Sequence, residues 1–404
     1  MRRLPTALLA SAAVLAATGL AVTTLAAPAN ANRVDATCTN AAGDAAVLQA
    51  AIDSSKEGDE VVFKGPCLLT ATLSLPPRRT YRGDGKMGTF IKQADGANLP
   101  AMLASEGWVK NAETSDDTIR IERMTLDGNR DANTGTVGLM LRAWNARVYD
   151  MDIYGAPSDG IRISNPSQNG TLLRNTMVNS VISDVDIEGS AEAGIRVVDP
   201  GNSVTDWTLQ RAWIGFNGTN AIQMDNAAGW TLSELHLYAT PKNAIDAHRC
   251  FGTSISNNYI EDFGAESTKD QTYYGIRCDL QGDAATTITG NRIHKFLPPP
   301  NGFAELKQAF RERRAPVERK VAATGPLPDG VNFVYMALDN VNYGWGHAAI
   351  SGNTIVGHGT KQETGIQLKK GEGEKMSVAS AGNLVDGAGV PISIGPGVKY
   401  TRGY

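Results

Sequence analysis

Five residues able to do acid, base or ion-pair chemistry recur at matching positions of three neighbouring sequence segments. The segments 222–225, 245–248 and 276–279 read Ile-Gln-Met-Asp, Ile-Asp-Ala-His and Ile-Arg-Cys-Asp. If each segment is a strand, its residues alternate between two faces, and the polar members share the outward face. Parallel strands stack about 4.8 Å apart, and alternate residues lie about 6.8 Å apart along a strand. The sequence therefore predicts one row of Asp225, His248 and Asp279 beside a second row of Gln223, Asp246 and Arg277.

Several carboxyl groups in so small a patch provide what glycosidic cleavage needs. One carboxylic acid protonates the leaving oxygen, while a second carboxylate activates water or attacks carbon. Nearby like charges raise each other's proton affinity, which lets one carboxyl act as an acid near neutral pH. We predict Asp225, Asp246 and Asp279 as acid, base or nucleophile, with His248 and Arg277 keeping a neighbouring carboxylate ionised. The alternative is a charge-balanced exterior ladder, because an exposed strand face must be polar in any case.

A line of basic residues is expected along the same outward face. Its members are Arg142, Arg162, Arg196 and Arg277, with Lys369 further along the chain. Together with Gln223, the residues Arg162, Arg196 and Lys369 are predicted to bind substrate. Bidentate pairs between arginine and carboxylate would suit an acidic sugar polymer. The line also fits β-elimination on a uronate, often helped by Ca²⁺, and a solvated strand face is the plain alternative.

A reserve catalytic pair, Asp159 and Glu192, stands just before the strands of two adjacent repeats. The segment 159–163 reads Asp-Gly-Ile-Arg-Ile and resembles the polygalacturonase strand Asp-Gly-Ile-Asp-Ile, whose first Asp is catalytic. The resemblance stops there, since Glu192-Ala193 occupies the place where that family carries paired aspartates. The segment 357–359, Gly-His-Gly, follows a different strand from the one that carries this motif in polygalacturonases.

The elements that position these residues follow from a repeat. The motif Gly/Ala-Ile-x-apolar begins at 160, 194, 221, 244, 275 and 365, and a second apolar anchor precedes each copy. In four consecutive copies the two anchors are eight residues apart, as in Ile153 and Ile161. A period of 23 to 34 residues indicates a solenoid, in which stacking buries apolar faces that no unit could bury alone. The 3.6-residue period of helices is missing, so we predict an all-β, right-handed parallel β-helix.

The N-terminal part of the chain combines a helix, strands and a glycine-rich turn. Residues 43–58 read as an N-capped amphipathic helix, followed by a strand at 60–63, Gly65-Pro66, a strand at 68–75 and a Gly-Asp-Gly turn at 83–85. This stretch resembles the N-terminal segment of the pectate lyase superfamily. The resemblance implies that the helix caps the first coil, with cap and first coils spanning 32–85, and that the β-helix continues over nearly the whole mature chain. It leaves the reaction open, because that superfamily includes lyases, hydrolases, fructosyl transferases, epimerases and tail spikes.

One region interrupts the period. A helical insertion near 298–330 begins with three prolines and continues with a basic stretch, and a smaller insert at 261–274 lies at the same corner of the preceding coil. Two insertions at one corner are typical of a lid over that flank or of a subunit contact. Both interpretations stay open.

The chain ends and the cysteines indicate export. Residues 1–31 combine a basic start, an apolar run and an Ala-Asn-Ala site, which predicts a signal peptide and a secreted, extracellular protein. The remaining residues, 32–404, are predicted to form a single β-helix domain. No other segment is apolar enough to predict a membrane span. We predict a disulfide between Cys38 and Cys67, and leave pairing of Cys250 with Cys278 open. No cysteine has metal-ligand spacing with histidine. A net charge of −4 argues against nucleic-acid binding.

Tryptophans supply candidate sugar platforms. They are Trp144, Trp207, Trp213 and Trp230. Trp213, beside anchor Ile214, is expected to face outward on a different strand face from the acids, and most of the others are expected to pack inside.

The leading hypothesis is a secreted carbohydrate-active enzyme that cleaves or transfers at glycosidic bonds of a polysaccharide without a cofactor. A polysaccharide lyase, with Ca²⁺ as its ion, is the second. A non-catalytic sugar-binding surface protein is the third, and a homotrimer is one assembly that it could form.

Overall fold

The computed structural model describes residues 31–266, 268–295, 329–341 and 344–403, and residues 32–404 form one compact unit. Within the described ranges it contains 32 strands and two helices. Every pairing among these strands is parallel. The predicted all-β, right-handed parallel β-helix is therefore confirmed.

The strands fall into two sheets that stack coil upon coil. The front sheet comprises β4 (Leu73–Leu75), β7 (Ala101–Ser105), β9 (Val137–Leu141), β11 (Ile161–Ser164), β13 (Ile195–Val198), β16 (Ile222–Met224), β19 (Ile245–Cys250), β22 (Thr272–Leu280), β25 (Asn332–Asn340), β28 (Glu363–Lys369) and β31 (Val390–Ile394). The back sheet comprises β1 (Arg33–Thr37), β2 (Glu60–Lys64), β3 (Cys67–Leu69), β5 (Arg79–Arg82), β6 (Phe90–Gln93), β8 (Ile119–Asp127), β10 (Arg147–Tyr154), β12 (Ser180–Glu188), β14 (Trp207–Gln210), β15 (Trp213–Gly215), β17 (Thr231–Ser233), β18 (His236–Tyr238), β20 (Ser254–Ser256), β21 (Tyr259–Glu261), β23 (Thr286–Thr289), β24 (Arg292–His294), β26 (Trp345–Ser351), β27 (Thr354–Val356), β29 (Lys375–Ala381), β30 (Leu384–Asp386) and β32 (Val398–Arg402). The front-sheet strands pair in chain order, so each coil adds one strand to its edge.

The isoleucine anchors form the core because every coil places them in register. Ile161, Ile195, Ile222, Ile245 and Ile276 pair in succession across the front sheet and are buried. Each buried anchor removes apolar surface from water, which stabilises the stack by roughly 1.5–3 kcal/mol per side chain. The outward positions between anchors are left for polar residues.

Each coil of the back sheet bends where one residue adopts a left-handed conformation. Arg211, Glu234 and Asn257 have φ between 49° and 57° at this bend, which divides the sheet into two faces. Behind the bend runs a ladder of buried asparagines. The Asn258 side-chain amide donates to the carbonyl oxygen of Leu232 at 3.1 Å and to the side-chain oxygen of the next asparagine, Asn291, at 2.9 Å.

A helix closes the first coil at its open edge. α1 (Asp44–Ser54) buries Ala45, Leu48 and Ile52, and covering a sheet edge in this way prevents pairing with another chain. The structure joins Cys38 to Cys67 in a disulfide beside it. The strand expected over 68–75 is instead two short strands, β3 and β4, separated at 70–72. The other helix is the short α2 (Glu106–Val109).

Two expectations concern residues outside the described ranges. The predicted signal peptide coincides almost entirely with residues 1–30, and most of the insertion near 298–330 lies within 296–328. Among the described residues, no helix has the length and apolar character needed to cross a membrane.

Candidate functional site

A β-bulge in the front sheet places the predicted histidine against the predicted acid. Strands β19 and β22 pair Asp246 with Arg277, and the register then shifts between Ala247 and Cys250. Arg249 has a φ of 58° within this bulge, and such a bulge re-aims the neighbouring side chain. The disulfide from Cys250 to Cys278 fixes the end of the bulge to strand β22. The bridge that the sequence left open thus lies directly beneath the site.

The bulge brings together four side chains, Asp246, His248, Arg277 and Asp279, which we call the paired-acid site. His248 Nδ1 lies 2.5 Å from Asp279 Oδ2, and Arg277 Nη2 donates to the same oxygen at 3.3 Å. His248 Nε2 and Arg277 Nη1 each lie 3.7 Å from Asp246 Oδ1. The Asn243 amide donates to Asp246 Oδ2 at 3.0 Å. Two acids therefore share one imidazole and one guanidinium.

The two bases cover the two acids. Asp279 is 2% exposed and Asp246 9%, whereas the side chains of His248 and Arg277 are 36% and 35% exposed. The Oδ1 atoms of Asp246 and Asp279 are buried and have no hydrogen-bond partner among the described residues. This site is a dense group of charges partly open to solvent on one face.

The charge of Asp279 controls the protonation of His248. The hydrogen bond to Asp279 raises the pKa of His248 above its usual range, and burial, which acts in the opposite direction, does not cancel the effect. His248 is accordingly an imidazolium through a wider range of pH than a free histidine. An imidazolium that projects to solvent can donate a proton to a bound molecule.

Asp339 is a site residue that the sequence reasoning missed. It pairs in register with Asp279 on one side and Lys369 on the other. Burial, and then the negative charge of Asp279, raise the pKa of its carboxyl. In its strand, β25, Tyr335-Met336 replaces the usual Gly-Ile of the repeat, so the repeat does not identify the outward residues. The inward alternation of Met336 and Leu338 was the available signal.

The remaining residues of the two predicted rows lie near the site without joining it. Gln223 pairs in register with Asp246 and accepts a hydrogen bond from Asn220 at 3.4 Å. Asp225 is half-buried and comes directly after β16, and within the described residues its carboxylate has no hydrogen bond or ion pair. Lys369 is exposed, beside Asp339 in register.

The reserve pair is held in a separate ion network with two predicted binding residues. Arg162 Nε donates to the fully buried Asp159 at 2.6 Å, and Arg162 also lies 3.7 Å from Glu192. Arg196 donates to the half-exposed Glu192 at 3.3 Å. Burial, opposed by the charge of Arg162, raises the pKa of Asp159. Arg196 pairs in register with Gln223 and Arg162 pairs with Arg196, so the two arginines continue the row of Gln223 on the two preceding strands.

The expectation that Arg142 belongs to the exposed basic line is wrong. Met140, two residues earlier, is the residue in register with Arg162. Arg142 is fully buried because a corner of the chain folds over it, and its guanidinium donates to four backbone carbonyl oxygens. These belong to Asn165, Gly107, Ala112 and Thr171.

In the described parts of the chain, no group of three or more His, Cys, Asp or Glu side chains is arranged to hold a metal ion.

The tryptophans predicted as candidate sugar platforms differ in their exposure to solvent. Trp207 and Trp230 stack on each other inside the core with ring centroids 5.5 Å apart, whereas Trp213 is 55% exposed on the back sheet.

Comparison with known proteins identifies the fold. No protein-family model matches the chain, and no curated protein matches it. The solved structures that are similar over more than nine-tenths of this chain include the following three. The mannuronan C-5 epimerase A-module of Azotobacter vinelandii has a TM-score of 0.51 and 18% identity, with 92% of this chain and 97% of that chain covered. The catalytic unit of the GH87 α-1,3-glucanase of Streptomyces thermodiastaticus has a TM-score of 0.52 and 13% identity, covering 94% and 68%.

The third structure is the enzymatically active domain of tailspike protein 2 of bacteriophage CBA120. Its TM-score is 0.51 and its identity 13%, with 93% of this chain and 46% of the longer tailspike chain covered. Identities this low establish the parallel β-helix alone. The parallel β-helix fold that the sequence resemblance implied is confirmed, and the chemistry must be argued from the site.

Proposed function

We propose that this protein is a secreted carbohydrate-active enzyme that cleaves or transfers at glycosidic bonds of a polysaccharide, using the paired-acid site. The observation that carries the proposal is the hydrogen bond between His248 and Asp279 beside Asp246 and Arg277. The three similar solved structures are, by name, an epimerase acting on mannuronan, a glucanase and an enzymatically active tailspike domain, which supports a polysaccharide substrate.

In this proposal His248 supplies the proton. Asp279 positions the imidazolium and keeps it charged, so that Nε2 transfers its proton to the leaving glycosidic oxygen as the bond to the anomeric carbon breaks. Asp246, whose Oδ1 lies 3.7 Å from Arg277 Nη1, takes a proton from water whose oxygen attacks that carbon, or attacks the carbon directly to form an ester that water then hydrolyses. A transfer reaction differs only in the hydroxyl that replaces water.

The substrate is held along the same outward face. Arg162, Arg196, Gln223 and Arg277 lie in one row with Asp246, one strand apart from each other. Since strands stack about 4.8 Å apart, the row offers hydrogen-bond donors at intervals comparable to one sugar residue. Lys369 extends the face at the far end.

A second candidate function is β-elimination on a uronate polymer. The specific observation in its favour is that Arg277 adjoins both acids, because an arginine can pair with a uronate carboxylate and make the neighbouring C–H more acidic. The neutral form of His248 would remove that proton. Hydrolysis is preferred because the raised pKa of His248 favours the imidazolium, a proton donor, over the neutral imidazole that would act as a base.

A substrate panel tests the proposal. The purified protein is incubated with pectate, alginate, glycosaminoglycans, inulin and neutral glucans, and reducing ends and ultraviolet absorbance are read together. We expect reducing ends without the absorbance of an unsaturated uronate. Absorbance that rises with the reducing ends would establish the lyase instead. Binding without turnover on every polymer would contradict an enzymatic function.

A further inference from the structure

A second chemically unusual surface lies on the back sheet, away from the paired-acid site. Beyond the bend of each coil, register aligns one outward row across successive strands. The row consists of Asp152, Asp186, Trp213, His236, Tyr259 and Arg292. Three adjacent coils thus contribute an aromatic ring each, flanked by acids on one side and by an arginine on the other.

The rings form one contacting group, which we call the aromatic face and which consists of Trp213, His236, Tyr238 and Tyr259. Trp213 and His236 meet edge to face at 4.4 Å, and His236 stacks on Tyr259 at 4.9 Å. Glu261, two residues after Tyr259 on the same strand, accepts a hydrogen bond from the Tyr259 hydroxyl at 2.7 Å and lies 3.4 Å from His236. The rings therefore have little freedom to move, although more than half of Trp213 is in solvent.

A glycine makes room for the fourth ring. Gly215 lies in register between Glu188 and Tyr238, and a Cβ at Gly215 would come within 2.6 Å of the Tyr238 ring. The absence of that side chain lets the Tyr238 ring lie over the backbone of β15, with its centroid 6.2 Å from that of Trp213. The Tyr238 ring therefore extends the aromatic surface beside the exposed indole of Trp213.

Hydrogen-bonding groups border the rings on the neighbouring coils. Asp186 pairs in register with Trp213, and Lys86 joins Asp186 at 2.9 Å and Asp152 at 3.2 Å. Glu188 lies beside Gly215, and burial, followed by the charges of Asp186 and Asp152, raises its pKa to about 8. At neutral pH its carboxyl is mostly protonated, so it can both donate and accept a hydrogen bond.

We propose that the aromatic face, with Asp186 and Glu188 at its edge, is a second binding surface for an uncharged polysaccharide whose chain runs along the helix axis. Hexopyranose rings have apolar C–H faces that pack on aromatic rings and a hydroxyl edge that bonds to carboxyl groups. Coils repeat about every 4.8 Å, which is comparable to the length of one hexose in a chain.

The charges favour this occupant over a polyanion. Lys86 is already paired with Asp186 and Asp152, and the basic groups at the other end, His236 and Arg292, face Glu261 and the Tyr259 ring. No surplus of positive charge is left among these groups to hold uronates or sulfates. The surface would hold a polymer near the enzyme independently of cleavage, so it goes beyond the function proposed above.

Affinity electrophoresis tests the surface. Native gels are cast with laminarin, dextran or polygalacturonate, and the wild type is compared with Trp213→Ala and with Trp345→Ala, a matched control whose tryptophan is 42% exposed at the start of β26. We expect retardation by a neutral glucan, an affinity on the order of tenfold lower for Trp213→Ala, and no change for Trp345→Ala. Asp279→Asn should bind like the wild type, which separates this surface from the catalytic proposal.

Several results would overturn the inference. They are the absence of retardation by every neutral glucan, retardation by polygalacturonate alone, and equal retardation of Trp213→Ala and the wild type. Sedimentation of all variants should give one unchanged species. A dimer that dissociates on Trp213→Ala would identify the face as a contact between two copies of this chain and would likewise contradict the proposal.

Discussion

Replacing Asp279 with asparagine should move the protonation of His248 to lower pH. The wild-type hydrogen bond of 2.5 Å joins an imidazolium to a carboxylate that is almost fully buried. Hydrogen bonds to charged groups contribute about 1.5–3 kcal/mol. Because the histidine side chain is 36% exposed, solvent screening reduces this contribution, and we expect the pKa of His248 in Asp279→Asn to fall toward that of a free histidine.

The direction of the effect on stability and activity follows from the raised pKa. The folded state binds the His248 proton more tightly than the unfolded state, so the stabilisation is complete below the pKa of an unfolded histidine. It is lost as the pH rises through the higher, folded pKa. If His248 is the proton donor, turnover also falls over that upper range, and in Asp279→Asn both declines should begin at lower pH.

The assay combines two readouts. The chain has five histidines, so NMR titration can resolve each imidazole, and His248→Gln identifies the signal that belongs to His248. The pH profile of kcat/KM on the polymer found in the substrate panel is measured beside it. An unchanged His248 titration in Asp279→Asn would refute the electrostatic reasoning, and a shifted titration with an unshifted kcat/KM profile would refute the role of His248 as the acid.

Three further changes test the supporting structure. Loss of the disulfide in the double variant Cys250→Ser/Cys278→Ser should lower the free energy of unfolding in urea by about 2–4 kcal/mol and also reduce kcat, because the bulge that aims the histidine is released. Arg162→Met leaves the buried carboxylate of Asp159 unpaired, which should cost about 3–5 kcal/mol in the same urea assay, and adding Asp159→Asn should recover part of that loss. Asn291→Ala removes the side-chain hydrogen bonds that Asn291 donates to two neighbouring coils. It should lower the free energy of unfolding by about 1–3 kcal/mol and the melting temperature with it. An unchanged melting temperature would contradict the structural role of the ladder.

The sequence predicts the stack well because the core itself is periodic. The two apolar anchors of each regular coil are eight residues apart, as Ile153 and Ile161 are. Both anchors pair in register with the anchors of the next coil and are buried. Once the inward residues are known, alternation gives the outward ones, and in this way Asp246 and Arg277 were correctly placed side by side.

Local irregularities are invisible to that reasoning. The bulge that turns His248 toward Asp279 leaves no periodic mark in the sequence. The coil carrying Asp339 follows a long insertion and lacks the Gly-Ile signal, so its acid was overlooked. Arg142 has the spacing of an outward residue, yet its burial depends on a corner that folds over it. A polar residue's environment depends on such tertiary contacts, which composition and spacing do not contain.

The most direct test of the catalytic proposal is the turnover of Asp246→Asn on the polymer that the wild type cleaves. Glu192→Gln, a half-exposed acid in the neighbouring ion network, serves as the matched control, and unchanged melting temperatures show that both variants are folded. We predict that Asp246→Asn loses on the order of 10²–10⁴-fold in kcat/KM, while Glu192→Gln stays close to wild type. Full activity of Asp246→Asn together with loss in Glu192→Gln would contradict the paired-acid site and move catalysis to Asp159 and Glu192.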